Sequence, residues 1–171
     1  MVLKRGVGDT GLHTREDAVS SPIDDDRTAR PTLLVGHGRD PSSDRALLAA
    51  VDLGRRLGAK LHVVHVVDAH DYPLNTDAPD WGQRGEEAVA AEQAHVEHLL
   101  ACSPVEWSYE ALHGEPARVL CAAADEHDAL LIVVGSRGEG LRRALGRIMD
   151  PSISHALIQR QCRPVLVVPA H

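Results

Sequence analysis

The chain has 171 residues, 43% of them hydrophobic and 25% charged, which fits one globular domain with a full core. A net charge of −7 without a basic stripe argues against a nucleic-acid-binding protein, and no apolar run approaches the roughly 18 residues that span a membrane. Three cysteines without a CxxC pair predict neither a disulfide framework nor a zinc site, and with no signal-peptide-like stretch we expect a cytoplasmic protein.

The first 30 residues form a separate segment. They are polar and acidic and are interrupted by glycine and proline. Their apolar content is too low to offset the entropy of ordering, so we predict a disordered N-terminal tail over residues 1–30. The folded domain is then expected over residues 31–171.

The domain opens with a strand, a glycine turn and a helix. Thr32–Val35 is an apolar run that predicts the first strand, and Gly36-His37-Gly38 interrupts it. Apolar residues at helical spacing predict a helix over Ser43–Leu57, with Ser42 or Ser43 as its N-cap. The glycine pair lacks the third glycine of a dinucleotide-binding fingerprint, so we interpret it as a turn.

Strands and helices continue to alternate to the end of the chain. The further predicted strands are Leu61–Val67, Val105–Leu112, Ala129–Val134 and Pro164–Val168. The further predicted helices are Glu86–Leu100, Pro116–His127 and Pro151–Arg160. This order predicts an α/β fold, doubly wound, with a mostly parallel five-stranded sheet and helices on both faces. Ligands bind such sheets outside the carboxyl ends of the strands, which selects the loops Gly36–Pro41 and Gly135–Asp150.

The second of these loops begins with Gly135-Ser136-Arg137-Gly138. Two glycines directly after a buried strand let the backbone approach a ligand and present N–H groups to an anion. Ser152 and Ser154 begin a helix whose N-terminus also attracts anions. The basic side chains that could neutralise phosphates are Arg137, Arg142, Arg143 and Arg147. The alternative is a solvated glycine-rich loop followed by a capped helix.

Histidine is common, with eleven copies, but its spacing does not indicate a metal site. His62 and His65 lie three apart on a strand and therefore face opposite sides of the sheet. His95 and His98 share a helix face without a further ligand nearby in the sequence. We interpret these histidines as surface or partly buried residues. No GxSxG elbow and no positioned general base are visible, so an enzyme is not predicted.

Three blocks of the chain resemble universal stress proteins. Their opening β-α-β unit is similar to TLLVGHGRDPSSDRALLAAVDLGRRLGAKLHVVHVVD, residues 32–68. Their third crossover and fourth strand resemble HGEPARVLCAAADEHDALLIVVGSRG, residues 113–138, and their closing helix and strand resemble SISHALIQRQCRPVLVVP, residues 152–169. The resemblance implies a sheet of order 3-2-1-4-5, a homodimer formed through the Pro164–Val168 strand, and, in one branch of the family, bound ATP.

The ATP-binding motif of that branch is only partly kept. Gly135 and Gly138 match its Gly-x-x-Gly half, but Ile148-Met149 stands where nine-residue spacing expects Gly-Ser. Aligned through the closing helix, Pro151-Ser152 takes that place. The acidic residue that follows the first strand in the family falls on Gly38, and Val66 matches the valine beside the adenine. The candidate nucleotide-binding residues are Gly36, His37, Gly38, Asp40, Val66, Gly135, Arg137, Gly138, Ser152 and Ile153.

The leading hypothesis is a homodimeric stress-response protein that binds ATP or a related nucleotide as a sensor or regulator, with Mg²⁺ only when a nucleotide is bound. We expect weaker binding than in relatives with the full motif, because Pro151 lacks an N–H and Asp150 competes with phosphate for the helix start. One alternative is a dimeric scaffold without nucleotide. The other is a slow nucleotide hydrolase.

Overall fold

A computed structural model describes residues 30–67, 81–136 and 153–170. Most of the predicted tail lies outside these residues, as does the predicted loop beyond Ser136. The strands are β1 (Thr32–His37), β2 (Lys60–Val67), β3 (Trp107–His113), β4 (Ala129–Gly135) and β5 (Val165–Val168). The helices are α1 (Pro41–Leu57), α2 (Trp81–Leu100), α3 (Pro116–Glu126) and α4 (Ile153–Arg160).

The five strands form one sheet in the order β3-β2-β1-β4-β5. Every neighbouring pair is parallel. Both the predicted α/β class and the predicted strand order are therefore confirmed. The strand order reverses between β1 and β4, and this is where a doubly wound sheet opens a crevice for ligands.

The sheet is buried on both faces because its inner strands are continuous apolar runs. On one face Leu33 and Val35 pack with residues of α1 and α2 such as Leu47. On the other face Leu34 packs with α3 and α4, and Leu157 is fully buried there. The chain has no phenylalanine, and leucine, valine, isoleucine and alanine fill the core on both faces.

Two helices begin earlier than their sequence pattern predicts. The N-cap of α1 is Asp40, with Pro41 in the first turn, and neither Ser42 nor Ser43 takes that role. A short carboxylate before proline is a good helix start, because proline has no N–H that needs a partner. Helix α2 starts at Trp81, five residues before the predicted Glu86. Gly82 and Gly85 weaken the helical signal in this first part.

The prediction of no disulfide is wrong. The structure joins Cys121 of α3 to Cys162, which follows α4, with their Cα atoms 5.8 Å apart. The two cysteines are 41 residues apart, so nothing local in the sequence indicates that α3 and the turn after α4 meet on one face of the sheet. Cys102 is free and exposed. In the part of the chain that is described, no helix combines the length and the apolar character needed to cross a bilayer.

Candidate functional site

The carboxyl ends of β1 and β4 lie side by side. Gly36 pairs with Val134 of β4 and, on its other side, with Val64 of β2. The loop that follows β1 and the end of β4 therefore open onto the same edge of the sheet, where Val66 of β2 also lies. The structure thus brings together five predicted site residues at this edge: Gly36, His37, Gly38, Val66 and Gly135.

Two of the glycines lie at close packing contacts, Gly135 against backbone and Gly36 against a side chain. A Cβ atom on Gly135 would lie 2.5 Å from the carbonyl oxygen of Ser42, in the first turn of α1. A Cβ atom on Gly36 would lie 2.9 Å from Cδ1 of Leu120 in α3. These glycines let β4 approach α1 and β1 approach α3. Their presence is therefore explained without any ligand.

Gly38 has more space around it. A Cβ atom there would meet its nearest neighbours, a carboxylate oxygen of Asp40 and the hydroxyl of Ser43, only at 3.6 Å. A side chain or a ligand atom can approach at this point without displacing the backbone. Gly38 is also where the resemblance places the acidic residue of the ATP-binding relatives.

The carboxylate of Asp40 is engaged with its own helix. It accepts hydrogen bonds from the backbone N–H groups of Ser42 at 3.0 Å and Ser43 at 3.3 Å, and from both hydroxyls. Burial acts to raise the pKa of Asp40, but these four bonds outweigh it and the pKa is lowered. The start of α1 is therefore neutralised by the protein itself and does not present free N–H groups to a phosphate.

The side chain of His37 lies in a network of acids on the α1 and α2 side of the sheet. Its ring is fully buried, with Nδ1 2.8 Å from Oε1 of Glu92 and Nε2 3.1 Å from Oδ1 of Asp44. Nε2 of His95 lies 2.9 Å from the same Asp44 oxygen. Nδ1 of His65 lies 3.1 Å from the carbonyl oxygen of His37 and donates to it. Strands β1 and β2 and helices α1 and α2 meet in this network.

The donors and acceptors of this network depend on the tautomers of its histidines. A neutral imidazole has one N–H, so a neutral His37 can donate to Glu92 or to Asp44 but not to both. Burial raises the pKa of Glu92, yet the hydrogen bond with His37 and nearby histidine charge outweigh it, and the pKa is lowered. Burial lowers the pKa of His65, which therefore stays neutral beside the network.

An open groove of about 440 Å³ runs between the start of α1 and the side of α2. Its lining includes Arg39, Asp44 and His95 together with the apolar surface of Ala88 and Ala91. The sequence-based set contained Asp40 from this lining but missed Asp44, Glu92 and His95. Glu92 lies 55 residues from His37, and no sequence spacing could have paired them.

The opposite side of the site is apolar. Val66 at the end of β2 and Ile153 at the start of α4 both pack against the core beneath α3. The predicted phosphate-binding residues Arg137, Gly138 and Ser152 lie outside the described residues, as do the other arginines of that loop. The described part of the candidate site therefore consists of the open position at Gly38, the half-buried apolar side chains of Val66 and Ile153, and a network of histidines and acids on the other face of the sheet.

Comparisons with known proteins agree on one family. The sequence profile of the universal stress protein family matches residues 30–169. A universal stress protein of Lactobacillus plantarum, UspA, is 23% identical, with a TM-score of 0.58 over 82% of this chain and 99% of its own. A universal stress protein in complex with cAMP is 25% identical, with a TM-score of 0.58 over 82% of this chain and 98% of its own. One from Archaeoglobus fulgidus in complex with dAMP is 20% identical, with a TM-score of 0.58 over the same 82% and 98%. No curated protein matches the chain.

Proposed function

This chain belongs to the universal stress protein family, and on that premise we propose that it is a homodimeric regulatory protein that binds an adenine nucleotide at the carboxyl ends of β1 and β4. Binding without turnover is proposed. A cytoplasmic setting stays a prediction. The Cys121–Cys162 disulfide argues against it, because disulfides are unusual in a reducing compartment.

The observation that carries the proposal is the open position at Gly38 at the end of β1, together with Val66 at the end of the neighbouring strand β2. An adenine ring needs an apolar surface to cover its faces, and a ribose needs space for polar contacts at the strand ends. Two relatives are described as complexes with cAMP and with dAMP, which both contain adenine and one phosphate. Their chemistry supports an adenine nucleotide as the ligand class.

The phosphate end of the nucleotide is expected near Gly138 and Ser152, with Arg137 as its counter-charge, as the sequence motif predicts. The start of α1 is a poor alternative, because Asp40 already accepts its N–H groups and would repel an anion. Mg²⁺ would accompany the phosphates and is not expected without them.

Isothermal titration calorimetry of the full chain with ATP, AMP and cAMP tests the proposal. Replacement of Gly38 by Asp restores the acidic residue of the ATP-binding relatives. A hydrogen bond from a ribose hydroxyl to this carboxylate is worth about 1.5–3 kcal/mol, so Gly38→Asp is expected to tighten binding at least about tenfold. The matched control Gly38→Ala adds a side chain that fits without a carboxylate, and it should leave the affinity unchanged.

A second variant tests the apolar position at Val66. Val66→Glu places a charge where the adenine is expected, and it should weaken binding of all three nucleotides alike. If neither the wild type nor Gly38→Asp binds any of them, or if Val66→Glu binds as the wild type does, the proposal is wrong.

A second candidate function is a dimeric scaffold without nucleotide. The loss of the acid at Gly38 and the self-capped start of α1 favour it. A failure of all three nucleotides to bind, together with a dimer in solution, would support this candidate.

A further inference from the structure

A second cluster of polar side chains lies at the opposite end of the sheet from the candidate nucleotide site. His62 near the start of β2, Glu110 of β3 and His127 at the end of α3 each offer one ligand atom, and these atoms all lie within 4.8 Å of one another. His62 is buried, while Glu110 and His127 are half-buried. Neither the proposed nucleotide site nor its histidine network uses any of these three residues.

The fold holds these three residues together although they are distant in sequence. Parallel pairing sets Val64 opposite Glu110, which puts His62 and Glu110 on neighbouring strands. The last turn of α3 crosses over them, so that the rings of His62 and His127 lie 3.8 Å apart between centroids. From the sequence, a metal site was not predicted, because His62 was paired only with His65. These two do face opposite sides of the sheet, as predicted, but His62 meets its partners from other elements.

We propose that His62, Glu110 and His127 bind a divalent transition-metal ion, and that Zn²⁺ is the ion that this ligand set fits best. Two imidazoles and one carboxylate are ligands that zinc takes in proteins, with a fourth position open to water. Zinc bonds of about 2.0–2.1 Å put neighbouring ligand atoms about 3.4 Å apart. Nε2 of His62 and Oε2 of Glu110 already lie 3.3 Å apart. Rotation of the half-buried His127 side chain can close the remaining distance.

Ser108 supplies the support that a ligating histidine needs. Its hydroxyl lies 2.8 Å from Nδ1 of His62. When the hydroxyl accepts from Nδ1–H, the ring is fixed in the tautomer whose Nε2 lone pair points toward Glu110. Two acceptor atoms facing each other at this distance repel, and a cation between them removes that repulsion. Ser108 is therefore a positioning residue for the metal.

Titration of the full chain with Zn²⁺ in competition with a chromophoric chelator tests the proposal, after treatment of the protein with EDTA. We expect His127→Gln and Glu110→Gln each to lower the Zn²⁺ affinity at least about tenfold. Both residues are half-buried, so these variants should fold. His98→Gln changes an exposed histidine of α2 and is the matched control, which should bind Zn²⁺ as the wild type does. Ser108→Ala should lower the affinity by about 10- to 100-fold.

Co²⁺ gives an independent readout, because its visible spectrum reports the coordination geometry. The wild type and Ser108→Ala should both show a tetrahedral Co²⁺ spectrum at saturation, while His127→Gln should not. A wild type that does not bind Zn²⁺, or variants at positions 110 and 127 that bind it as the wild type does, would overturn the proposal. Nucleotide titrations of the same variants are expected to be unchanged, so failure of the metal site leaves the proposed nucleotide site untouched.

Discussion

A methyl group at position 135 would lie 2.5 Å from the carbonyl oxygen of Ser42, a distance that neither backbone can accommodate without moving. We therefore expect Gly135→Ala to separate β4 from the start of α1. Overpacking of this kind costs about 1–3 kcal/mol of unfolding free energy. Urea denaturation of the variant and the wild type measures the loss.

Gly38→Ala is the matched control for this prediction, since its Cβ atom meets nothing closer than 3.6 Å. Alanine also restricts the unfolded chain, so the control should be unchanged or more stable by up to about 1 kcal/mol. Equal stability of Gly135→Ala and the wild type would contradict this prediction.

Gly135 shows which part of a local environment a sequence pattern predicts. Gly135 was predicted, as a glycine that follows a buried strand, to let the backbone approach a ligand. The structure identifies the backbone of α1 as a sufficient partner for Gly135. Sequence patterns report that a position needs glycine, and they do not report what approaches it. The network around His37 was missed for a related reason, since its partner Glu92 comes from a distant helix.

Among the elements, β2 carries a buried histidine on each face. Burial lowers the pKa of both His62 and His65, and the neighbouring His127 adds to the effect at His62. In the unfolded chain both histidines take up protons as the pH falls through the ordinary pKa of 6.5. In the folded chain their pKa values are lower, so they bind protons only at a lower pH. The unfolded state then binds more protons, so stability falls with decreasing pH below about 6.5, by up to about 1.4 kcal/mol per pH unit for each proton.

Urea denaturation at pH 7.5, 6.5 and 5.5 measures this slope. His62→Gln removes one of the two groups and should reduce the slope, whatever it does to the stability at pH 7.5. His98→Gln, on the exposed side of α2, should keep the slope of the wild type. A slope unchanged by His62→Gln would contradict the prediction. Acid groups with lowered pKa values, Asp40 and Glu92, add a similar loss only below about pH 4.

Elements differ in how well the sequence predicts them. The strands were predicted to within two residues at each end, because each is a short run rich in apolar or β-branched residues that lies between helical segments. Helix α1 begins at a cap that the sequence shows, Asp40 before Pro41, but two serines nearby offered an equally good start. Helix α2 was predicted five residues too short, because Gly82 and Gly85 have a low helix propensity and weaken the signal in its first part.

At the scale of the whole molecule, the two edges of the sheet differ in chemistry. The outer strand β3 carries Glu110 and His113, and polar side chains of this kind discourage pairing with another chain. The other outer strand, β5, reads Val-Leu-Val-Val, and 37% of Leu166 is exposed. An apolar edge without charge needs a partner, and a second copy related by a two-fold axis gives a closed assembly. We therefore predict a homodimer through β5.

Leu166→Lys puts a charge on this edge and should give monomers in size-exclusion chromatography with light scattering, while the wild type is a dimer. Leu57→Lys is the control, because Leu57 is also an exposed leucine but lies at the far end of α1. A wild type that is monomeric at micromolar concentration, or a Leu166→Lys variant that stays dimeric, would exclude dimerisation by this edge.

The Cys121–Cys162 disulfide turns the chain between these two residues into a covalent ring. The ring contains β4, α4 and the whole predicted phosphate-binding loop. A protease that cuts the loop once therefore releases no fragment, and the two pieces stay attached through the sulfur atoms. The cleaved protein keeps its full size in electrophoresis until a reducing agent is added. We therefore expect the fold to survive a single cut in this loop, because β4 and β5, on either side of the cut, pair in the same sheet.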